Sequence, residues 1–301
     1  MSRPLISVVI PCYNRAQSVE EAVKSVLSQD YDSFEVIAVD DHSDDDTMEI
    51  LKSIQDHRLS VASNPGSRGA GAARNFGINL SKSPWIAFQD SDDIWLPRKL
   101  SKQMACVESG EYIGVYCGLI VENSIAPNVQ PVRHHPIRRP PGAHRPNGKM
   151  PKLDGDISES IIINNLISTQ TLIARRGILE QIGGFDELMP ALEDWELAIR
   201  LSLKGKIAFV DEDLVVQRFS DNSITRSSDK QIRAQIMLLN KHKKLLQRHP
   251  KILAYHHHRL AGALRKQGDY KAAYDNALAA WKLCPYAIKY QGHMIYLRAR
   301  Q

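Results

Sequence analysis

Residues 5–41 read LISVVIPCYNRAQSVEEAVKSVLSQDYDSFEVIAVDD, and this stretch decides the fold. Leu5–Ile10 is short, rich in β-branched residues and closed by Pro11, as a buried strand is. Ser18 and Glu21 have the S-x-x-E spacing of a capping box, and Val19, Ala22, Val23, Val26 and Leu27 then share one helical face. Phe34–Val39 is a second apolar strand, ending in Asp40-Asp41. Strand, helix and strand in this order make a parallel βαβ unit.

The rhythm continues outward. A helix over 47–55 carries Met48, Leu51 and Ile54, and Arg58–Ala62 reads as a strand. A helix over 71–80 leads to the strand Trp85–Phe88. The expected architecture is α/β, a mostly parallel Rossmann-like sheet with helices on both faces. Ligands of such sheets bind beyond the carboxyl ends of the strands. Asp40-Asp41 and Asp90-Ser91-Asp92-Asp93 stand at two of those ends. Residues 125–153 interrupt the pattern with seven prolines, six basic residues (Arg133, Arg138, Arg139, Arg145, Lys149, Lys152) and no acid. Such a long basic loop is either a flap over a site or a surface insertion. Order resumes at 157–164, with a strand Thr169–Ala174, a Gly183-Gly184 turn, a helix over 193–203 and strands Lys206–Val210 and Leu214–Phe219. From residue 230 the chain reads as helix throughout. The Gly268-Asp269-Tyr270 turn between Ala-rich helices resembles one tetratricopeptide-type hairpin, though a generic helical hairpin has the same pattern. The expected division is 1–228 for the α/β body and 229–301 for a helical extension.

Among 301 residues, 43% are hydrophobic and 24% charged. This is a globular composition, which excludes disordered, collagen-like and coiled-coil classes. No apolar run approaches the ~18 residues of a spanning helix, and the N-terminus runs into a strand with no room for a signal-peptide core. Cys12, Cys106, Cys117 and Cys284 are far apart, without a C-x-x-C pair, so a reduced, cytoplasmic protein without structural zinc is expected. The net charge of +5 is uneven. Residues 230–301 hold fifteen Lys and Arg against two Asp, a balance of +13, and the rest of the chain stands at −8. A basic appendage of this kind meets anionic surfaces or lies as a solvated helical face, and it can also be absorbed by the acidic body.

Asp90-Ser91-Asp92 sets two carboxylates one residue apart at a strand end. They repel unless a cation is shared, and Mn²⁺ or Mg²⁺ is the cation such oxygens hold together with substrate phosphates. Asp41 is either a turn former or an acceptor for a base N–H or ribose hydroxyl. Gly69-Ala70-Gly71 opens a helix after a strand, as in a dinucleotide fingerprint. The third glycine is replaced by Arg74, however, and the first βαβ unit lacks the motif, so dinucleotide binding is rejected. Arg74 still offers a cation to a phosphate. Glu193-Asp194 starts a helix, where an acid serves either as an ordinary first-turn residue or as a general base.

Six segments occur in order: Pro11-Cys12-Tyr13-Asn14, Val39-Asp40-Asp41-His42-Ser43, Gly71-Ala72-Ala73-Arg74-Asn75, Asp90-Ser91-Asp92-Asp93, Gly183-Gly184-Phe185-Asp186-Glu187 and Glu193-Asp194-Trp195-Glu196-Leu197. Together they resemble the family 2 glycosyltransferases, which have the GT-A fold, over roughly residues 4–225. The resemblance implies a nucleotide-sugar donor, usually UDP-linked, a divalent metal (Mn²⁺ or Mg²⁺) and inversion at the anomeric carbon. It implies that Pro11, Tyr13 and Asn14 line the nucleoside pocket, Asp41 binds the base, Arg74 contacts the nucleotide and Asp90 supports the ribose or metal. Asp92 would ligate the metal and Asp194 would be the catalytic base. The acceptor would be a saccharide or a lipid-linked sugar of the cell envelope, with no nucleic acid involved. The basic helices would contact an anionic membrane at the cytoplasmic face, with Trp281, Tyr286, Tyr290 and Tyr296 as interfacial aromatics.

Two departures stand out. Ser220 replaces the His of the R-x-H element that many relatives carry, which bears on metal coordination from that side. The Q-x-x-R-W element of processive synthases is absent, which favours single addition. A nucleotidyltransferase would instead carry a Gly-rich basic loop where Pro11–Arg15 stands. A non-catalytic scaffold with basic helices would not need the acids at 41, 92 and 194.

Overall fold

The computed structural model describes residues 6–108, 111–122, 132–134, 151–218 and 228–300. Ser220 and most of the 125–153 loop lie outside them. The first half is β1 (Ile6–Cys12), α1 (Val19–Leu27), β2 (Phe34–Asp40), α2 (Thr47–Ser53), β3 (Leu59–Ser63), α3 (Ala70–Leu80) and β4 (Trp85–Phe88). β5 (Ile94–Trp95), α4 (Lys99–Glu108), β6 (Tyr112–Glu122), β7 (Val132–His134), α5 (Ser158–Ile161), β8 (Ile173–Arg175), α6 (Arg176–Ile182), α7 (Glu193–Ser202) and β9 (Lys206–Arg218) complete the body. Beyond it lie α8 (Ser228–Lys241), α9 (Lys243–Gln247), α10 (Pro250–Lys266), α11 (Tyr270–Leu283) and α12 (Ile288–Arg298).

The sheet runs β3-β2-β1-β4-β8-β6-β9-β5, with β7 on β6. β3, β2, β1 and β4 are parallel, in register from Ile6↔Phe34 to Cys12↔Asp40. β8 is antiparallel to both β4 and β6, and the long β6–β9 pair is parallel again. β5 on β9 and β7 on β6 are antiparallel too, but all four antiparallel pairings are shorter than the four parallel ones, and the expected GT-A-like α/β architecture holds. Side chains of β1 alternate between the two faces. Val8 and Ile10 join α1 and α4 in one core, and Val9 joins α3, α7 and the C-terminal helices in the other. Ile232, Leu238, Leu260 and Leu297 belong to that second core together with Trp195 and Phe88.

Three local readings are corrected. Ser18 makes no side-chain cap to α1. Its hydroxyl donates to the carbonyl of Ser91 at 2.9 Å, and Glu21 accepts from Arg218 at 2.7 Å, so both reach outward to the sheet's ligand edge. Thr169–Thr171 is a 3-10 turn, and the strand is confined to Ile173–Arg175. The two final strands are one, β9. Asp211-Glu212-Asp213 reads as a turn but is accommodated at a register shift opposite Gly118, where a Cβ would stand 2.6 Å from the Asp213 carboxylate. Such a bulge keeps a strand continuous while shifting its pairing.

The glycine that the helix–strand contact needs is Gly77. A Cβ there would stand 2.3 Å from Cγ1 of buried Val9. Ala gains about 1 kcal/mol of helix propensity over Gly, but overpacking a dense core costs ~1–3 kcal/mol. Gly77→Ala is expected to lower the urea midpoint, and a midpoint at or above that of the parent would show that α3 shifts freely on β1. Among the described residues no helix is long and apolar enough to cross a membrane.

Candidate active site

The site forms where β1, β2, β3 and β4 end. After β1 the chain turns through Tyr13-Asn14, with Asn14 in left-handed backbone at φ 50°, a conformation Asn tolerates better than most residues. The Asn14 N–H donates to Ser43 Oγ (3.0 Å) and its Oδ1 accepts from the Asp44 N–H (3.0 Å), joining the loops after β1 and β2. Asp41 is buried. Its carboxylate accepts from Asn64 Nδ2 and from the Gly69 N–H, each at 2.7 Å, and so hangs the β3–α3 loop on the end of β2. Arg68, just before that glycine, lies over the face of Tyr13 with Cζ 3.5 Å from the ring centre, a cation–π contact.

The acids after β4 have three separate partners. Asp90 accepts from Arg74 at 2.7 Å, Asp92 pairs with Arg15 at 3.3 Å, and Asp93 accepts the Arg218 N–H at 2.9 Å. Burial, and then the neighbouring Asp90 and Asp92, hold the Asp93 carboxyl well above the usual range. Arg74 is itself buried and also binds Glu193 at 3.1 Å. Burial opposes its charge, and the two carboxylates outweigh burial, so its proton is held more tightly than usual.

The next residue, Asn75, clamps the Gly183-Gly184-Phe185 turn. Its Oδ1 accepts the Phe185 N–H (2.7 Å) and its Nδ2 donates to the Phe185 carbonyl (2.9 Å). Gly184 has φ 64°, and a Cβ there would lie 2.3 Å from Asn75 Oδ1, so glycine is required both by backbone and by space. This turn leads to α7, which Leu192 enters in left-handed backbone at φ 60°. A bulky residue held there stores strain of a kind that clusters at functional sites. Asp194 follows in the first turn. Its Oδ2 accepts from Asn165 Nδ2 (2.8 Å) and its Oδ1 from the Trp195 N–H (2.7 Å). Burial, and then the adjacent Glu193, push its carboxyl up to about 7, against the pull of Asn165, Trp195 and Arg74.

These residues line two adjoining clefts. The first, about 730 Å³, contains Pro11, Tyr13, Asn14, Asp41, Arg74, Asp90 and Asp92. The second, about 510 Å³, contains Asp194 with Asn165, Gln170 and Gln231. Arg74, Asp90, Glu193 and Gln217 border both. Seven of the eight residues singled out from sequence thus share one cleft, and Asp194 faces the next. Sequence reasoning gave no site role to Arg15, Arg68, Arg218 or Lys230, which also line the first cleft. Arg15 sits beside Pro11-Cys12-Tyr13-Asn14 and was within reach, whereas Lys230 had been counted with the basic extension and carried no local signal.

Among the described residues no three His, Cys, Asp or Glu converge as a metal cage. The donors are carboxylate oxygens, and the Asp92 side chain is 22% exposed in the cleft. That set suits Mn²⁺ or Mg²⁺ shared with ligand phosphates, which require few protein ligands, and is a poor fit for zinc.

A family model described as Glycosyl transferase family 2 matches residues 7–181. The UDP-Glc:alpha-D-GlcNAc-diphosphoundecaprenol beta-1,3-glucosyltransferase WfaP of Escherichia coli is 37% identical over 118 residues, 39% of this chain and 47% of that protein. The match therefore spans about half the length of that relative. An uncharacterized glycosyltransferase of Rickettsia typhi is 28% identical over 76% of this chain and 68% of its own. Two solved structures share the fold. TarS 1-349 of S. aureus in complex with UDP-GlcNAc has a TM-score of 0.63 at 17% identity, covering 98% of this chain and 92% of that one. The mannosyltransferase PcManGT of Pyrobaculum calidifontis in complex with GDP-Man and Mn2+ has a TM-score of 0.61 at 18% identity, covering 100% and 87%.

Proposed function

Since the chain belongs to glycosyl transferase family 2, we propose that it transfers a sugar from a UDP-linked donor to a hydroxyl of a saccharide or lipid-linked acceptor, with inversion, in cell-envelope polysaccharide or glycolipid synthesis at the cytoplasmic face. The observation that carries this reading is the pair of clefts meeting at Arg74, Asp90 and Glu193, with Asp194 in the second. A nucleoside diphosphate fits the first, where Tyr13 offers a ring face and Arg15, Arg68, Arg74, Arg218 and Lys230 offer cations. Pro11, Tyr13, Asn14 and Asp41 meet the nucleoside, Asp90 supports the ribose, and Arg74 with Lys230 meets the phosphates. The UDP assignment draws support from the donor in the name of WfaP and the ligand of TarS.

The acceptor hydroxyl enters from the second cleft. Asp194 takes its proton as the oxygen bonds to the anomeric carbon on the face opposite the diphosphate, and the bond from that carbon to the phosphate oxygen breaks. An acid constant near neutrality suits a general base at physiological pH, and Asn165 and the Trp195 N–H fix the carboxylate's orientation. Asp92 would hold a divalent cation, Mn²⁺ or Mg²⁺, which would supply positive charge against the charge that grows on the leaving diphosphate.

Transfer from UDP-sugars measured with and without Mn²⁺ tests the metal and the donor together. Asp92→Asn is expected to abolish metal-stimulated transfer while leaving the fold intact, with only a small shift in thermal unfolding, since it removes almost no volume and one partly exposed ion pair with Arg15. Turnover like that of the parent at limiting Mn²⁺ would remove Asp92 from this role.

A further inference from the structure

The solvent face of α12 has the wrong polarity for water. Ile288 and Ile295, 83% and 56% exposed, stand two turns apart on one face. Tyr286, in the turn that leads into the helix, is 97% exposed. Elsewhere exposed Leu188, Leu203 and Ile236 stand on separate elements, as single surface apolar residues normally do. Here they form a stripe. Lys289 lies on one flank of it and Arg298 on the other, and both are exposed. Tyr296 sits at its edge, with the guanidiniums of Arg265 and Arg300 5.7 and 5.6 Å from its ring centre. The helix IKYQGHMIYLR contains no acid, and only Asp269 and Asp275 are acidic beyond residue 230.

The inner face is fully used. Tyr290, Met294 and Leu297 are buried against the other C-terminal helices, so Tyr290 is unavailable as the interfacial aromatic that the sequence reading made it. Part of the extension's charge is spent inward too. Lys241 binds Asp186 (2.7 Å) and buried Glu196 (2.9 Å), and His242 also meets Glu196 (3.1 Å). Exposed Lys and Arg remain on every C-terminal helix, and at α12 Lys289, Arg298 and Arg300 border the apolar stripe with no acid on the helix to offset them.

We propose that this face, Tyr286, Ile288 and Ile295 flanked by Lys289 and Arg298, docks on an anionic lipid bilayer. Apolar side chains in the centre enter the acyl boundary while the flanking cations meet headgroup charge, the division found in interfacial helices. A second copy of the same face fits less well, because two-fold pairing would set these cations against one another. The inference stands apart from the glycosyl transfer reading, since its readout is membrane binding.

Co-sedimentation of the full chain tests it, using vesicles of phosphatidylcholine alone and vesicles containing phosphatidylglycerol. Binding is expected only with phosphatidylglycerol, at low salt, with release at high salt as screening sets in. Each cation near such a surface is worth about fivefold in partitioning, so K289Q/R298Q is expected to lose roughly thirtyfold. I288S/I295S is expected to lose binding as well, with its thermal unfolding unchanged because both sites are exposed. Equal binding to both vesicle types, or binding by either double variant like that of the parent, would overturn the proposal. So would sedimentation equilibrium that shows a dimer dissociated by I288S/I295S while vesicle binding is untouched, which would assign the face to self-association.

Discussion

Asp194→Asn is expected to lower kcat by about 10²–10⁴-fold, the range general base catalysis contributes. Donor affinity should stay unchanged, because the proton moves only in the chemical step and Asp194 lines the second cleft, away from the nucleotide. In the parent enzyme kcat/KM should rise with pH through about 7 as the carboxyl of the free enzyme ionises, and the variant should lose this limb. The same group predicts a stability effect of definite sign. Its folded-state acid constant lies above the ordinary 3.8, so the folded protein holds this proton more tightly than the unfolded chain does. The resulting stabilisation is complete below the unfolded value and is lost as pH rises through about 7. Asp194→Asn should therefore unfold at a higher temperature than the parent above pH 7, with the gap closing in acid. A dead Glu193→Gln beside an active Asp194→Asn would move the base by one residue. Glu193, however, is already held by Arg74, which disfavours it as a proton acceptor.

Arg74→Ala is the second large effect. It leaves Asp90 and Glu193 without the cation between them. Their side chains are 26% and 21% exposed, so the loss should be about 1–3 kcal/mol, below the ~3–5 kcal/mol of a fully buried broken pair. Removing a charge-assisted contact to the diphosphate should weaken UDP binding roughly tenfold to hundredfold, and transfer should fall below detection. Arg74→Lys should recover stability only in part, since an ammonium does not reproduce the planar fork that spans two carboxylates. Unchanged calorimetric affinity for UDP in Arg74→Ala would place the phosphates elsewhere.

The fold of the first half was legible because each strand is an apolar run bounded by a turn former, and the six ordered segments marked the site. The structure gives their co-occurrence a physical reason. Arg74 holds Asp90 and Glu193, and Asn75 holds the Gly183-Gly184 turn, so residues over a hundred positions apart act as one bonded unit. What was illegible depends on partners distant in sequence. Ser18 and Glu21 have capping-box spacing, but Ser91 and Arg218 compete for them successfully. Asp211-Glu212-Asp213 has turn composition, but Gly118 on the neighbouring strand makes room for a bulge. Lys230 belongs by composition to the basic extension and by position to the first cleft. No local pattern contains such information.

The wall between the clefts also links what happens on its two sides. Arg74 touches an acid that lines the first cleft and an acid in the first turn of α7, next to Asp194. A diphosphate or cation that drew Asp90 away would shift this guanidinium toward Glu193 and change the field in the second cleft. Occupancy of one cleft is then felt in the other as a coupling free energy, and thermodynamic linkage makes that coupling reciprocal. Whatever factor a bound donor applies to acceptor affinity, a bound acceptor must apply to donor affinity. If donor and acceptor occupy the two clefts as proposed, cooperativity between them would run through one buried side chain, with no hinge or subunit contact required.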